Sequence, residues 1–467
     1  MFSCQNTLAK IYPLWYSYTV FLSISCPLHK KNEVRAMSDC TQLLTALKSG
    51  AHDKALAALY ALDGSARSLD EARARAVGTV EAFAARYGAD APNAALFSGP
   101  GRTEIGGNHT DHQHGRVLCG SVDLDMLACA APNGTRLVRI QSEGYPALEI
   151  DLDDLAPKKG EENTSAALVR GVAAKIKELG YELSGFDACA NSTVLSGSGL
   201  SSSAAYEVLV GNMFNHFCCD DKLDPVTIAK IGQYAENVYF GKPCGLMDQM
   251  GSSVGGAVFT DFNDPNHPVV EKVDYDFSQS GYALCIVDTG SSHGDLTDDY
   301  ADITREMGAV AAHFGKTVLR DVPLEQFRAA IPALRQECGD RAVLRAIHFY
   351  DDDRLAVREA AALKNGDFDL FLDTVNQSGL SSALHLQNTW STADPRQQAI
   401  PLALEEAKLL LDTGACRVHG GGFAGTIQAF VPNDDLEQFK NGMEAVFGAG
   451  KCHILHIRPI GGCVVAE

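Results

Sequence analysis

A glycine- and serine-rich run at residues 196–205 constrains this chain more than any other stretch. Its sequence is Ser-Gly-Ser-Gly-Leu-Ser-Ser-Ser-Ala-Ala, and residues 206–217 follow with a helical pattern. Glycines leave the backbone free to turn its amides towards an anion, and the N-terminus of a helix adds partial positive charge. The run therefore predicts either a phosphate-binding loop or a solvated turn that caps a helix.

A second glycine-rich segment, residues 101–115, follows a short predicted strand at 94–98. It contains four glycines together with Arg102, an asparagine, an aspartate and three histidines. Because such polarity is costly to bury without partners, we do not expect a core strand here. The donors and acceptors suit recognition of a hydroxylated ligand, with Arg102 near an anion.

The three histidines of this segment allow a different interpretation. His109, His112 and His114 lie close together in the sequence, which suggests a metal site. Their spacing is not the i, i+4 of a helical pair of ligands, and the glycines disfavour a helix. The sequence therefore favours polar recognition over metal binding.

Asp248 lies in a third segment, residues 241–251, after a predicted helix at 225–240. It is surrounded by methionine, leucine and glycine. We expect a glycine-rich turn here, in which a carboxylate is either buried and functional or caps a helix.

Two further glycine motifs suggest other classes of protein. Residues 290–294 spell G-x-S-x-G around Ser292, after a predicted strand at 282–288, as in a serine hydrolase. The HGGG-like run at 419–422 follows this serine, whereas the oxyanion loop of that fold precedes it. Residues 420–425 match G-x-G-x-x-G, but strand-like sequence follows, so we expect a turn between a helix and a strand rather than a dinucleotide site.

Composition and net charge limit the class of protein and the partners that this chain can have. The 467 residues suffice for two domains, and 46% hydrophobic with 21% charged residues is typical of a globular protein. The net charge of −20 disfavours nucleic acid or an anionic membrane as a partner, so an anionic substrate needs a locally cationic pocket. The scattered cysteines fit reduced thiols in a cytoplasmic protein, with Cys129, Cys189 and Cys285 as core residues.

The chain divides into four predicted parts. Residues 1–36 differ in character from the rest, and we expect a non-native or disordered extension, with an export signal at 11–28 as the alternative. Residues 37–92 form a helical region, followed by an N-terminal domain at 93–280 and a C-terminal domain at 281–467. The oligomeric state is not predicted.

Four of these motifs, in their order along the chain, resemble those of the galactose/homoserine/mevalonate/phosphomevalonate (GHMP) kinase superfamily, and within it the galactokinase family. Residues 100–102 with 107–111 resemble PGR…GEHTD, and residues 197–204 resemble the phosphate loop. Residues 244–249, Cys-Gly-Leu-Met-Asp-Gln, resemble CGIMDQ, and 419–425 the last motif. The resemblance implies an α+β, two-domain GHMP kinase fold with the active site in the cleft between the domains.

The resemblance also implies a reaction and its residues: ATP, with Mg²⁺, phosphorylates the anomeric hydroxyl of galactose. Asp248 is then the catalytic base, and Arg102 orients it and offsets charge on the phosphoryl group. Ser203 and Glu236 hold Mg²⁺. The implied ATP-binding residues are Gly197, Ser198, Gly199, Leu200, Ser201, Ser202 and Ser203. The implied sugar-binding residues are Asn108, His109, Asp111, Gly245 and Tyr300.

Two departures from the family leave the sugar open. Asn108 stands where the family has a glutamate that contacts sugar hydroxyls, and His112 where it has a tyrosine. A related sugar, such as a galactose derivative, a uronic acid or arabinose, is therefore an alternative substrate. A sensor that binds sugar and ATP without turnover is another alternative, although Arg102, Asp248 and the phosphate loop are intact.

Overall fold

The computed structural model describes residues 39–62, 68–195, 198–242, 244–291 and 296–467. The predicted extension at 1–36 lies outside these residues. The strands are β1 Ala95–Gly106, β2 Arg116–Pro132, β3 Leu137–Ser142, β4 Leu148–Asp151, β5 Phe186–Ser192, β6 Ala257–Asp261, β7 Val269–Val273, β8 Tyr282–Asp288, β9 Ala415–His419, β10 Thr426–Pro432, β11 Cys452–Leu455 and β12 Cys463–Ala466.

The helices separate these strands into groups. They are α1 Cys40–Lys48, α2 Asp53–Tyr60, α3 Leu69–Tyr87, α4 Ser165–Glu178, α5 Ser202–Cys218, α6 Pro225–Tyr234, α7 Met247–Val254, α8 Thr297–His313, α9 Leu324–Glu337, α10 Asp340–Lys364, α11 Phe368–Ser381, α12 Ala399–Leu410 and α13 Leu436–Phe447. Single wider π-helical segments, Ala235–Phe240 and Ser382–Leu386, continue α6 and α11.

Local sequence explains where several helices begin. Asp39 and Ser68 form capping boxes with Gln42 and Glu71, respectively, and so begin α1 and α3. Asp224 caps α6 by accepting a hydrogen bond from the backbone of Thr227. Pro225 follows it at the first helical position, where proline has no amide bond to lose.

Two sheets organise the fold. The first has the order β12-β1-β2-β5-β3-β4, with β6 also paired to β2 and β7 to β6. Its pairs are antiparallel except β3 with β5. The second sheet has the order β11-β8-β10-β9 and is antiparallel throughout.

The strands of each sheet are consecutive in the chain, except for the last strand, β12. Strands up to β7 form the first sheet, and β8 begins the second at Tyr282. Strand β12, however, falls within the predicted C-terminal domain and pairs with β1 of the first sheet. The last residues of the chain therefore belong structurally with the first domain.

Successive side chains of a strand point to opposite faces of a sheet, and in β1 and β8 both faces are buried. In β1, Phe97 packs with α4 and α5, whereas Leu96 packs with α1–α3. In β8, Val287 packs with α12 and α13, and Ile286 lies in a separate cluster with α11 and β1. Cys129, Cys189 and Cys285 are buried, as predicted.

Strand β1 corrects an expectation. The sequence suggested that the polar segment after residue 100 was not a core strand, yet β1 runs to Gly106 and is buried throughout. Arg102, Thr103 and Glu104 are each less than one-tenth exposed. Burial is possible because later parts of the chain supply a partner for each, so no polar side chain of the three is buried alone.

Two other expectations were wrong. Asp248 lies in the first turn of helix α7 and not in a glycine-rich turn. The run 420–425 connects strands β9 and β10, not a helix and a strand. Ser292 of the G-x-S-x-G motif lies outside the described residues.

A buried charge cluster joins the N-terminal helices to the first sheet. The Asp125 carboxylate accepts hydrogen bonds from Tyr60 Oη at 2.9 Å, Arg458 Nη1 at 3.0 Å, Ser98 Oγ and Arg75 Nη1. Although burial alone raises a carboxyl pKa, the two guanidinium groups hold the pKa of Asp125 well below its usual range. Asp125 thus ties α2 and α3 to strand β2 and to the end of the chain.

In the described ranges, no helix is both long and apolar enough to cross a membrane.

We expect Asp125→Ala to lower the free energy of unfolding by about 3–5 kcal/mol, because it leaves buried Arg458 without a counter-charge. The matched control is Asp153→Ala, which breaks an exposed pair with Arg136 and should cost about 1 kcal/mol or less. Urea unfolding of both variants measures the difference. Equal losses would contradict the structural role of Asp125.

Candidate active site

An ion pair between β1 and α7 forms the centre of the site. Arg102 Nε donates to Asp248 Oδ1 at 2.8 Å, and Nη2 lies 2.7 Å from the same oxygen. Arg102 Nη1 also donates to the backbone oxygen of Gly199 in the glycine-serine run. Two residues that are 146 positions apart in the sequence, both predicted to be catalytic, are therefore in direct contact.

The start of helix α5 forms the other side of this centre. Ser201 is its N-cap, in a left-handed conformation (φ 53°), and Gly199 has φ 73°. Ser201 does not cap the helix with its side chain; its Oγ donates instead to Asp248 Oδ2 at 2.8 Å. The first-turn amides of α5 are thus left for an anionic ligand, which the N-terminus of a helix attracts.

The other predicted ATP-binding residues differ in their environment. Ser198 is buried and its Oγ donates to the Leu195 oxygen at 2.8 Å. The Leu200 side chain lies in the core, so only its backbone could face a ligand, and its oxygen accepts from Arg102 N. Gly197 lies outside the described residues.

The charge of Asp248 is well defined. Burial alone would raise its pKa, but the positive charges of Arg102 and Lys242, with the hydrogen bond from Ser201, lower that pKa below the ordinary value. Asp248 is therefore a carboxylate at neutral pH, and it lies beside two of the cations that an anionic substrate needs.

Ser203 and Glu236, the predicted Mg²⁺ ligands, lie together. Ser203 Oγ donates to Glu236 Oε1 at 3.0 Å, and Lys242 Nζ lies 3.3 Å from that oxygen. Gln249 Nε2 holds the other oxygen of Glu236 at 2.8 Å and also bonds Glu207 at 2.9 Å. Burial and the negative charge of Glu236 raise the pKa of Glu207 well above its usual value.

The donor set of this cluster fits Mg²⁺. A hydroxyl and carboxylate oxygens are hard ligands, and Mg²⁺ in kinases is commonly bound by one or two carboxylates together with substrate phosphates. Glu207 Oε1 is in addition buried without a hydrogen-bond partner. In the described part of the chain, no cluster of three or more His, Cys, Asp or Glu side chains could hold a metal by itself, so the phosphates would complete the coordination.

The histidines at 109–114 were considered above as another possible metal site. His109 and His112 have stacked rings with centroids 6.1 Å apart, but among the described residues they form no metal-binding group with His114. The interpretation as a metal site is not supported.

Two of the predicted sugar-binding residues are in contact. A Cβ atom built on Gly245 would lie 1.7 Å from Asp111 Oδ2, so only glycine leaves room for the Asp111 carboxylate. The Asp111 side chain therefore lies against the segment that leads into α7, three residues before Asp248.

His109 and Tyr300 meet the turn between β9 and β10. His109 has φ 60°, and its Nε2 lies 3.0 Å from the oxygen of Gly421. Tyr300 Oη donates to the Gly422 oxygen at 2.9 Å, and its ring lies where a Cβ of Gly421 would be. The last motif thus contacts the predicted sugar-binding residues of both domains.

Asn108 differs from the other predicted sugar-binding residues. It is fully buried, and its side-chain amide donates to Glu104 Oε1 at 2.7 Å and to the Gly420 oxygen at 2.8 Å. Its Oδ1 accepts from Asn388 Nδ2 at 2.8 Å. These bonds within the protein argue against direct contact between Asn108 and a sugar.

Sequence reasoning missed a row of polar residues behind the site. Thr103 Oγ1 lies 3.1 Å from His419 Nε2, and His419 Nδ1 lies 3.1 Å from Thr426 Oγ1. Gln428 Nε2 donates to the Glu104 backbone oxygen at 2.9 Å. Of these residues only His419 lies in one of the four motifs, and nothing in the sequence pairs positions more than 300 residues apart.

A separate groove of 920 Å³ lies between α3 and strands β3 and β5. Its lining includes Arg75, Thr79, Gln141 and Asn191. It contains none of the predicted site residues.

Comparison with known proteins agrees with this geometry. Residues 167–256 match the family model of the GHMP kinase N-terminal domain, and residues 81–132 match the galactose-binding signature of galactokinases. The fold resembles the crystal structure of Lactococcus lactis galactokinase complexed with galactose, with TM-score 0.70 and 23% identity over 83% of this chain and 99% of that one. Methanococcus jannaschii mevalonate kinase gives TM-score 0.53 and 13% identity over 78% and 98%.

The fold and the site thus define a GHMP kinase with its active site in the cleft between two domains, as predicted. The chain is also 31% identical over 392 residues to the galactokinase of Streptomyces coelicolor, covering 82% of this chain and 95% of that protein. It belongs to the galactokinase family, and the prediction of an ATP-dependent sugar kinase is confirmed. The serine hydrolase and sensor alternatives are not favoured.

The buried histidines of the site predict a loss of stability in acid. Burial, with the charges of Arg102 and Arg417, lowers the pKa of His419 to about 3; burial and His112 lower that of His109 to about 3. Below pH 6.5 the unfolded chain takes up protons that the folded chain does not. Stability is therefore complete above pH 6.5 and falls by about 2 kcal/mol per histidine by pH 5.

Urea unfolding of His419→Gln at pH 7.5 and pH 5 tests this expectation. The loss between the two pH values should be smaller than in the unaltered protein by about 2 kcal/mol. His267→Gln, at a histidine that is 84% exposed, is the control and should not change the loss. An unchanged loss in His419→Gln would show that this histidine is not held neutral.

Proposed function

We propose that this chain is a galactose 1-kinase. It transfers the γ-phosphoryl group of ATP to the anomeric hydroxyl of galactose, giving galactose 1-phosphate and ADP. The observation that carries the proposal is the contact of Arg102 and Asp248 with each other and with the start of α5, beside the Asp111 carboxylate. A base, a cation, an anion-binding helix terminus and a hydroxyl acceptor thus lie in one place.

Asp248 accepts the proton of the attacking hydroxyl. Its lowered pKa makes it a weak base, which suits phosphoryl transfer through a loose transition state, since bond formation to the nucleophile is then limited and proton transfer is late. Arg102 fixes one carboxylate oxygen, and Ser201 bonds the other. The orientation of the base is therefore set before substrates bind.

The remaining cations and amides of the site neutralise the phosphates. Arg102 lies between Asp248 and the Gly199 carbonyl, where it can offset charge on the transferring group. The first-turn amides of α5 and residues 198–203 bind the β- and γ-phosphates. Ser203 and Glu236 hold Mg²⁺, which when bound supplies further neutralisation of the phosphate oxygens.

Asp111, Gly245, His109 and Tyr300 form the sugar site in this proposal. Asp111 is a carboxylate acceptor for sugar hydroxyls, and Gly245 leaves the space for it. Tyr300 and His109 hold the turn at 420–422 close to the same segment. The galactose-binding signature that matches residues 81–132 includes His109 and Asp111.

Asp248→Asn should lower kcat about 10²–10⁴-fold, because the amide cannot accept the proton. The variant should also be less stable, because buried Arg102 loses its counter-charge, so circular dichroism first checks that it is folded. The change is isosteric, and steady-state kinetics with ATP and galactose measure it. Asp434→Asn, at an exposed position, is the control and should leave kcat unaltered. A normal kcat in folded Asp248→Asn would rule out Asp248 as the base.

Gly245→Ala should raise the KM for galactose about tenfold or more with little change in the KM for ATP, since a methyl group would displace the Asp111 carboxylate. Gly78→Ala is the matched control, because a Cβ there meets nothing within 4 Å. Parallel increases of both KM values would show that Gly245 does not act on the sugar alone.

The choice of sugar is tested by ADP release from the full chain with a panel of monosaccharides. The proposal expects galactose to give the highest kcat/KM, above galactose derivatives, uronic acids and arabinose. A higher value with one of these would assign the chain to that sugar. ADP release with none of them would favour the sensor.

A further inference from the structure

The Glu104 carboxylate accepts a hydrogen bond from the side-chain amide of Asn108. It lies on β1, two residues after Arg102, and is 2% exposed. Its Oε1 accepts from Asn108 Nδ2 at 2.7 Å and from Arg417 Nη2 at 2.8 Å. Arg417 itself is fully buried on β9 and donates further to the Ile105 backbone oxygen.

The backbone of Asn108 is held as firmly as its side chain. Its N–H donates to Asp352 Oδ2 at 2.6 Å, and its carbonyl oxygen lies 2.9 Å from His348 Nε2. Both partners are buried on α10. Together with Gly420 and Asn388, they use every polar group of Asn108, so this residue connects β1 of the first domain with α10 and the last motif.

The residue that follows depends on this anchoring. His109 has φ 60°, a left-handed backbone that L-residues adopt only at a cost of about 1–3 kcal/mol and keep where their surroundings fix it. Asp111 lies two residues further on. The positions of both sugar-site residues are thus set by the bonds that hold Asn108.

In the hydrogen bond between Asn108 and Glu104, residue 108 is the donor and residue 104 the acceptor. An amide at 108 can donate to Glu104 and to the Gly420 carbonyl, both of which are acceptors. A carboxylate at 108, the residue type that the galactokinase family has there, would face the Glu104 carboxylate and a carbonyl with no hydrogen to donate. Two buried carboxylates in contact disfavour each other's ionised form. Asn108 is therefore matched to Glu104.

We propose that Glu104 is a positioning residue of the sugar site: it supplies from strand β1 the buried carboxylate that holds Asn108 and so places His109 and Asp111. This inference rests on the proposed function for the location of the sugar. Residue 108 then acts through the placement of His109 and Asp111 and not through a contact of its own with a sugar hydroxyl.

An isosteric exchange of amide and carboxylate tests the pair. Asn108→Asp alone removes the donor and should raise the KM for galactose about tenfold, with the KM for ATP unchanged. The double variant Asn108→Asp with Glu104→Gln restores one donor and one carboxylate without a change in size. It should recover at least half of the increase in the logarithm of the KM for galactose. Recovery is incomplete because the bond to the Gly420 carbonyl stays lost.

Additive effects in the double variant, or parallel increases in both KM values, would overturn the proposal. Asn433→Asp, at an exposed position, is the matched control and should change neither KM. If Asn108→Asp does not fold, Asn108→Ala gives the same decision, because it removes the bond to Glu104 and leaves Glu104 paired with Arg417: a raised sugar KM with an unaltered ATP KM supports the proposal, and no change overturns it.

The unaltered protein separates this proposal from the proposed function. If it phosphorylates another sugar and not galactose, the proposed substrate is wrong, and the same variants measured with that sugar still test Glu104. If galactose is phosphorylated and the exchange has additive effects, only the role of Glu104 is wrong.

Discussion

The burial of Arg102 in a β-strand is the constraint on which the site depends. A guanidinium group that is 6% exposed needs a counter-charge and acceptors, because the cost of burying an unpaired charge exceeds what packing can return. Asp248 supplies the charge and Gly199 an acceptor. The contacts of one arginine thus bring together strand β1, helix α7 and the loop before α5, the three elements that the proposed reaction uses.

The same strand continues into the contact between the two domains. Thr103 and Glu104 contact His419 and Arg417 of the second sheet. One continuous strand therefore carries Arg102 and also bonds the second sheet. This explains why β1 tolerates so much polarity. Directional hydrogen bonds at this contact fix the turn at 420–422 relative to the phosphate loop more specifically than apolar packing alone.

Much of this was predictable from sequence, and the failures have a common cause. The resemblance of the motif residues indicated the family and the two-domain fold, and it predicted one site for Arg102 and Asp248, which are in contact. The burial of β1 was missed because His419 and Arg417, which bond Thr103 and Glu104, lie more than 300 residues away. The bonds of Asn108 to Asp352 and Asn388 were missed for the same reason, since no motif contains either partner. Sequence patterns show residue types, whereas burial depends on pairing across the chain.

In the proposed reaction, the site directs the γ-phosphoryl group to the anomeric hydroxyl of galactose. Phosphorus and proton NMR of the product formed from ATP and galactose identifies the position that is phosphorylated. We expect a new phosphate resonance coupled to the anomeric proton of galactose, in an amount equal to the ADP formed. A phosphate coupled to a proton elsewhere on the ring, or ADP with unmodified galactose, would contradict it.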